Sequence, residues 1–451
     1  MNRENKKTNE EFNKVFMFGM SLLILVSLTI AFSVVWLGIN EGIVWAFDTR
    51  GNYLIIALYF VMQYLFSRIY GALKIGFYKV SDIVYSQALT TVIVDVLMYA
   101  VMSLVARELV AFTPMIVLLL VQLVIIVVWA YLATWCHKRL YPPYRLVVIY
   151  SNKSATNLVR KMSVRDDQFQ ICEAVKLEEG FEHIKSRIMY YDGAIICDIA
   201  GSDRNDILKC CFDNNKRAYV TPKISDILIR GGENIHLFDT PLLLCRNSGL
   251  TVEQRFVKRL LDIVVSLIGL IVMSPFMLIT AIAIKLQDGG PVFFLQDRVT
   301  KDGKIFKIIK FRSMRVNADA DRGGAAHSAT VDDDRITKVG KVIRACRMDE
   351  FPQIFNILKG DMSVVGPRPE CVENVEKYLE DVPEFAYRHK VKAGLTGYAQ
   401  IYGKYNTTAY DKLKLDLFYI ENYSIRTDLQ LIFMTVKVLF MKESTEGFEE
   451  S

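Results

Sequence analysis

Residues 344–370 read RACRMDEFPQIFNILKGDMSVVGPRPE. Two adjacent carboxylates, Asp349 and Glu350, stand there among cationic side chains, and they form the candidate reactive centre. Pro352 lacks a backbone N–H but suits a first helical turn. The apolar positions Phe351, Ile354, Phe355, Ile357 and Leu358 therefore predict a short helix starting just after the pair. A helix N-terminus at that point favours anions. Beyond Gly360, the segment Gly366-Pro367-Arg368-Pro369-Glu370 is a stiff turn that can hold one guanidinium in a fixed orientation for bidentate phosphate contact. Carboxylates, cations and a rigid arginine turn together suit a diphosphate substrate. An Asp-Glu pair standing alone would more often be solvated surface charge.

The 451 residues are 52% hydrophobic and 23% charged, too apolar for one soluble domain and too charged for a chain buried in the bilayer throughout. The net charge of +6 suits anionic headgroups and phosphates, and no motif points to nucleic acid. The 8 cysteines show no CxxC spacing and the 5 histidines no HExxH arrangement, which argues against a zinc site. Four apolar runs, about 15–39, 53–69, 86–106 and 112–135, each approach the roughly 20 residues that a bilayer crossing requires. The loops carrying Arg68, Lys74 and Lys79, and later His137, Lys138 and Arg139, are basic. The loop with Glu41, Asp48 and Arg50 is net acidic, so both ends of the four-helix bundle are expected on the cytoplasmic face. Asp95 falls inside the third run, where it reads either as a mark of a substrate path or as a structural hydrogen bond or protonated carboxyl.

Between Tyr144 and Leu250 the pattern changes to short β-rich runs, 145–150, 170–177, 194–199 and 218–221, alternating with polar helical segments. This is an α/β pattern with a parallel sheet. Tyr150-Ser151-Asn152-Lys153-Ser154, after the first run, lacks the glycines that admit a dinucleotide pyrophosphate, which favours a scaffold or regulatory module over a dinucleotide site.

A further apolar run, 260–286, is interrupted by Ser274-Pro275. The part before Pro275 is about 20 Å of helix, short of a hydrocarbon core of about 30 Å. Lys258 and Arg259 precede the run and Lys285 ends it, as expected when both ends face the cytoplasm. A helix that enters, breaks and returns fits these facts, with the Ser274 hydroxyl helping to satisfy a carbonyl freed by Pro275. Residues 292–295 and 305–311 predict a hairpin around Lys301-Asp302-Gly303-Lys304, with Lys310 and Arg312 on one face. Residues 317–329 suit either a closing loop or a linker, and Tyr398 and Tyr402 either base stacking or packing.

Several ordered segments resemble the bacterial sugar transferases, the polyprenyl-phosphate sugar-1-phosphate transferases. They are Lys307-Ile308-Ile309-Lys310-Phe311-Arg312-Ser313-Met314, Asp334-Arg335-Ile336-Thr337-Lys338-Val339-Gly340, Asp349-Glu350-Phe351-Pro352-Gln353, Leu358-Lys359-Gly360-Asp361-Met362-Ser363, Gly366-Pro367-Arg368-Pro369-Glu370 and Gly394-Leu395-Thr396-Gly397-Tyr398-Ala399-Gln400. The resemblance covers 251 to about 441. It implies a membrane protein with a transmembrane bundle (1–140), a Rossmann-like α/β domain (141–250) and a membrane-associated α/β catalytic domain (251–451) containing a re-entrant helix. The implied reaction moves a hexose 1-phosphate from a UDP-sugar to undecaprenyl phosphate at the cytoplasmic face of a bacterial inner membrane. The resemblance further implies Mg2+, Asp349 as nucleophile and Glu350 as metal or general-base partner, both near the metal. Lys310, Arg312, Arg344, Arg368 and Glu370 fall at the substrate phosphates. Self-association is left open, as are two other roles: a non-catalytic membrane scaffold and a nucleotide-sensing regulator.

Overall fold

The computed structural model describes residues 3–40, 49–151, 154–245, 249–316, 335–403 and 407–439. Glu41, Asp48, Asn152, Lys153 and the segment 317–329 lie outside them. The chain divides between Pro222 and Lys223 into two compact units.

The first unit opens with four helices, α1 (Arg3–Asn40), α2 (Thr49–Tyr70), α3 (Val80–Ala106) and α4 (Thr113–Leu140), each long and apolar enough to cross a bilayer. In the bundle, α1 and α3 each pack against both α2 and α4. Leu28, Phe32, Tyr59, Met98 and Ile126 fill its interior, and Trp129 donates to the Met20 carbonyl at 2.7 Å. The outer faces keep Leu, Val and Ile exposed, as lipid contact requires.

The same unit continues as β1 (Tyr144–Tyr150), α5 (Ser154–Ser163), β2 (Phe169–Lys176), α6 (Phe181–Tyr190), β3 (Gly193–Cys197), α7 (Gly201–Asp213) and β4 (Arg217–Val220). The four strands pair in parallel in the order β2-β1-β3-β4. Leu146 and Val148 cover one face, Val147 and Ile149 the other, which is why β1 reads as an unbroken apolar run. Arg165, in the α5–β2 connection, donates to the Gly76 carbonyl at 2.8 Å and to the Phe77 carbonyl, and so fastens the sheet segment to the α2–α3 turn.

The second unit comprises α8 (Ile224–Arg230), the antiparallel pair β5 (Glu233–Leu237) and β6 (Thr240–Leu244), α9 (Val252–Asp288), the hairpin β7 (Phe293–Val299) and β8 (Ile305–Phe311), α10 (Lys338–Ala345) and α11 (Gln353–Lys359). It ends with β9 (Ser363–Val365), α12 (Val372–Asp381), β10 (Gly394–Thr396), α13 (Tyr398–Tyr402), α14 (Ala409–Glu421) and α15 (Ile425–Leu439). Ile224 and Ile227 of α8 enter this unit's core beside Leu413 and Leu417. Residues 223–245, grouped by the sequence with the α/β segment, thus fall in the second unit, and α8 packs with the segment that follows it.

α9 is one helix of 37 residues that starts eight residues before the apolar run, because Thr251 and Gln254 form a reciprocal cap. Pro275 lies inside it, and the Ser274 hydroxyl donates to the Ile271 carbonyl at 3.0 Å, the acceptor that Pro275 leaves without its usual donor. Its first turns are anchored by polar contacts. Lys258 pairs with Asp428 at 2.7 Å, and Asp262 accepts from the Ser363 hydroxyl at 2.8 Å and the Val364 amide at 2.9 Å. Arg259 donates to the Ile357 and Leu358 carbonyls, at 2.6 and 2.7 Å, capping the end of α11. The later turns bury Met277 and Ile284 against Phe311 and Ile343. Opposite, Ile268, Ile271, Val272, Leu278, Ile279 and Ile282 stay exposed.

Lys258 and Asp428 are both nearly inaccessible, so Lys258→Met strands a buried carboxylate. We expect a loss of about 3 kcal/mol in unfolding measurements in detergent micelles. The double change Lys258→Met/Asp428→Leu recovers most of it.

Candidate active site

Thr337 accepts from the Gly340 amide at 2.9 Å and starts α10, which ends in a reversal at Arg347. Arg347 is left-handed at φ 54°, uncommon for a side chain of its size and a mark of a constrained site. The reversal sets Met348–Glu350 in a single 3-10 turn, and Pro352 leads into α11, the short helix expected from the sequence. Gly360 closes α11 at φ 99°, where a Cβ would be strained.

The antiparallel register sets Phe294 against Lys310 and Arg298 against Phe306, so β7 and β8 bring Arg298 and Lys310 to one pocket. Arg368, Gln353, Pro369 and Gly394 complete much of its lining. The Gly366–Glu370 turn is held by close backbone approach: Gly366 donates to the Thr396 carbonyl at 2.8 Å, and a Cβ on Gly394 would lie 2.0 Å from the Gly366 nitrogen. Arg388, which is fully buried, supports the turn from beneath. It donates to the Arg368 carbonyl and to Asp416, each at 2.9 Å.

Glu350 lies 3.2 Å from Arg368 and 3.9 Å from Lys310. Burial pushes its carboxyl up, but Arg368, Lys310 and Arg347 outweigh burial and hold it at about 2. This charge network therefore contributes stability that is fully present above the ordinary glutamate range and is lost progressively as pH falls from there to about 2. Burial, then the charge of Glu350, raises Asp349, with Lys310, Arg344 and Arg347 pulling the other way. Asp349 makes no hydrogen bond among the described residues. The two carboxylates thus divide: Glu350 is locked in ion pairs and Asp349 is unengaged. Arg344, at the end of α10, keeps a buried Nη1 without a partner, as a cation awaiting an anionic oxygen would.

Two assigned residues lie in other contacts. Arg312 is 7% exposed and forks onto Asp288, with one contact of 2.9 Å, tying the end of β8 to the end of α9 rather than to the dyad. Strand alternation places Arg312 on the Lys310 side, but the strand ends at Phe311 and only the fold reveals its partner. Glu370 is buried against Lys412 at 2.9 Å and Arg388 at 3.8 Å, so it braces the arginine turn and cannot itself attract a phosphate. Tyr398 and Tyr402 pack on each other at 4.5 Å, and the Tyr402 hydroxyl meets Met434 Sδ at 3.4 Å. Conversely, Arg298 escaped the sequence reading. Its Nη1 donates to the Pro369 carbonyl at 3.2 Å while its buried Nε lacks a partner. The signal was the alternation of Phe294, Gln296 and Arg298 on β7, which runs four residues beyond the expected strand.

Residues 253–442 match the family model described as bacterial sugar transferase. A UDP-N-acetylgalactosamine-undecaprenyl-phosphate N-acetylgalactosaminephosphotransferase of Aeromonas hydrophila is 39% identical over 54% of this chain and 56% of its own length. A UDP-glucose:undecaprenyl-phosphate glucose-1-phosphate transferase of Klebsiella pneumoniae is 44% identical over 48% of this chain and 45% of its own. An exopolysaccharide production protein, PSS, of Rhizobium leguminosarum is 42% identical over 42% of this chain and 96% of that protein. The chain belongs to the bacterial sugar transferase family. It spans about half the length of the Aeromonas and Klebsiella relatives.

Lys310 lowers the Asp349 carboxyl, so Lys310→Gln should move the acid limb of transferase activity to higher pH as well as reduce the rate. If the reaction needs ionised Asp349, the expected outcome is activity that falls as pH drops through its raised value. Profiles of kcat/KM against pH for both proteins provide the test.

Proposed function

We propose that this chain transfers a hexose 1-phosphate from a UDP-sugar to undecaprenyl phosphate, releasing UMP and forming the polyprenyl-diphospho-sugar that begins a surface polysaccharide. The observation that carries the reading is the division within the dyad: Glu350 is held by Arg368 and Lys310, and Asp349 is left without a hydrogen bond beside cations. A general base has little to do here, because a phosphate monoester is already largely ionised near neutrality. An open aspartate is better used as a nucleophile. Asp349 attacks the phosphorus that bears the sugar, the bond from that phosphorus to the bridging oxygen breaks, and UMP departs with the electron pair. An oxygen of undecaprenyl phosphate then attacks the same phosphorus and expels the Asp349 carboxylate. Arg344, Arg368, Lys310 and Arg298 neutralise the phosphate oxygens in both steps.

The donor set suits Mg2+ with few protein ligands. Among the described residues no cluster of three His, Cys, Asp or Glu exists, but one or two carboxylates with substrate phosphates are a usual magnesium environment. Asp349 would hold it together with the diphosphate, with Glu350 beside them, and when bound the ion supplies charge neutralisation to the phosphates.

On the membrane, α9 contacts one unit on both sides of Pro275: Lys258, Arg259 and Asp262 before it, Met277, Ile284 and Asp288 after it. This supports a helix that dips into the cytoplasmic leaflet on its exposed apolar face and keeps both ends on one side. The parallel sheet of the first unit, with its crossover from β2 past β1 to β3, supports a Rossmann-like scaffold or regulatory module.

Two outcomes are expected. With enzyme, Mg2+ and UDP-sugar but no lipid acceptor, UMP appears in a burst of up to one per active site, with sugar phosphate on Asp349. Asp349→Asn abolishes the burst and retains UDP-sugar binding. UMP release that requires the lipid, with no adduct on rapid quench, would replace the covalent route by direct displacement. For topology, Asp288→Cys in a cysteine-free chain should resist an impermeant external thiol reagent in intact cells. Labelling there would mean that α9 crosses the membrane.

A further inference from the structure

The interior of the α1–α4 bundle holds a chain of polar side chains that the transferase chemistry does not use. Tyr59 of α2 donates to Asp95 Oδ1 of α3 at 3.3 Å, and Gln122 of α4 donates to the Tyr59 hydroxyl at 2.8 Å. One turn closer to the α2–α3 connection, Gln63 donates to Thr91 at 3.1 Å, and beyond it Ser67 donates to Gln87 at 3.4 Å. Asp95 is 6% exposed and Tyr59, Gln63 and Gln122 are wholly inaccessible.

Around Asp95 three oxygens have no hydrogen-bond partner among the described residues, Asp95 Oδ2, Gln122 Oε1 and Gln63 Oε1; the one unpartnered donor of the column, Gln87 Nε2, lies about two turns away on α3. All three are acceptors. Among the buried described residues of the bundle there is also no lysine, arginine or histidine to offset the carboxylate. In hydrocarbon, an uncompensated carboxylate and orphan amide oxygens are costly, and such residues mark a bound ion or a functional path. A proton on Asp95 would serve its own oxygen and one neighbour, leaving the other amide oxygen unserved. A cation draws on all three, and hard cations take carboxylate, amide and hydroxyl oxygens.

We propose that Asp95, Gln122 and Gln63, with the Tyr59 hydroxyl, bind a monovalent metal cation of the sodium or potassium class within the transmembrane bundle. The ion joins α2, α3 and α4 through their polar faces and supplies the positive charge that the side chains lack. This site is independent of the transferase reading, since it shares no residue with the dyad.

The test uses the full chain in detergent or nanodiscs, with radiolabelled Na+ and, as the potassium surrogate, Rb+. At least one ion should bind saturably and stoichiometrically. The matching chloride salt should raise Tm relative to N-methylglucamine chloride at equal ionic strength, as ligand linkage requires. Asp95→Asn should abolish binding, and Asp349→Asn should leave it intact. Tyr59→Phe keeps the ring stacked on Phe32 at 4.1 Å and removes only the hydroxyl. It should weaken affinity by about tenfold, the scale of one lost charge-assisted contact. It also carries the test if Asp95→Asn does not fold. Absence of saturable binding by either ion to the folded chain, or binding that survives Asp95→Asn or is unchanged in Tyr59→Phe, would overturn the proposal and assign the oxygens to protonation or buried water.

Discussion

Glu350 carries its charge in a half-buried site where desolvation alone would favour the neutral acid, and it does so because Arg368 and Lys310 stand within 4 Å. Everything else around the dyad follows from keeping those cations in place. β8 supplies Lys310 by strand register, and the Gly366–Glu370 turn supplies Arg368 by backbone approach too close for any side chain on Gly394. Under the turn, Arg388, Asp416, Glu370 and Lys412 form a second, buried set of charges whose members satisfy one another. Burial makes each pairing matter more, because a charge stranded there has no water to turn to. The result is an aspartate raised by burial and by the ionised glutamate next to it, and pulled back by the surrounding cations.

The same division between polar anchorage and apolar exposure governs α9. One face of the helix carries Lys258, Asp262, Met277 and Ile284 into the domain, and the other offers Ile271, Leu278 and Ile279 outward. A helix surrounded by lipid on all sides has no use for a buried lysine-aspartate pair or for an arginine capping another helix. Those contacts make it part of the second unit's packed interior, with one apolar face left exposed. Arg312 belongs to this anchorage: its fork onto Asp288 fixes where α9 ends and β7 begins.

In the bundle the logic is inverted, with apolar side chains outside and a polar column inside that runs from Ser67 and Gln87 to Asp95. Such a column gives the four helices directional contacts that dispersion among leucines and valines cannot, since lipid tails are as apolar as the helix surfaces.

Much of the fold is legible in the sequence because its signals are local. The apolar runs place α1 to α4 within a turn or so, with α1 starting well before its run, and the β-rich runs place β1 to β4 within one or two residues. The helix after Pro352 follows from the missing N–H and the apolar spacing, and the Ser274 contact with the Ile271 carbonyl follows from what proline removes. The dyad and its arginine turn are legible for a further reason: both are short, stiff segments, so their order in the chain nearly dictates their shape. What the chain alone could not decide is pairing across distance. Lys310 and Arg312 are two residues apart and equally basic, yet one meets Glu350 and the other Asp288. Glu370 turns inward to Lys412 and Arg388, and Arg298 reaches the site only because β7 continues along β8. Residue type and spacing determine which groups are available; which charge neutralises which is set by strand register, helix ends and burial, and these exist only once the chain has folded.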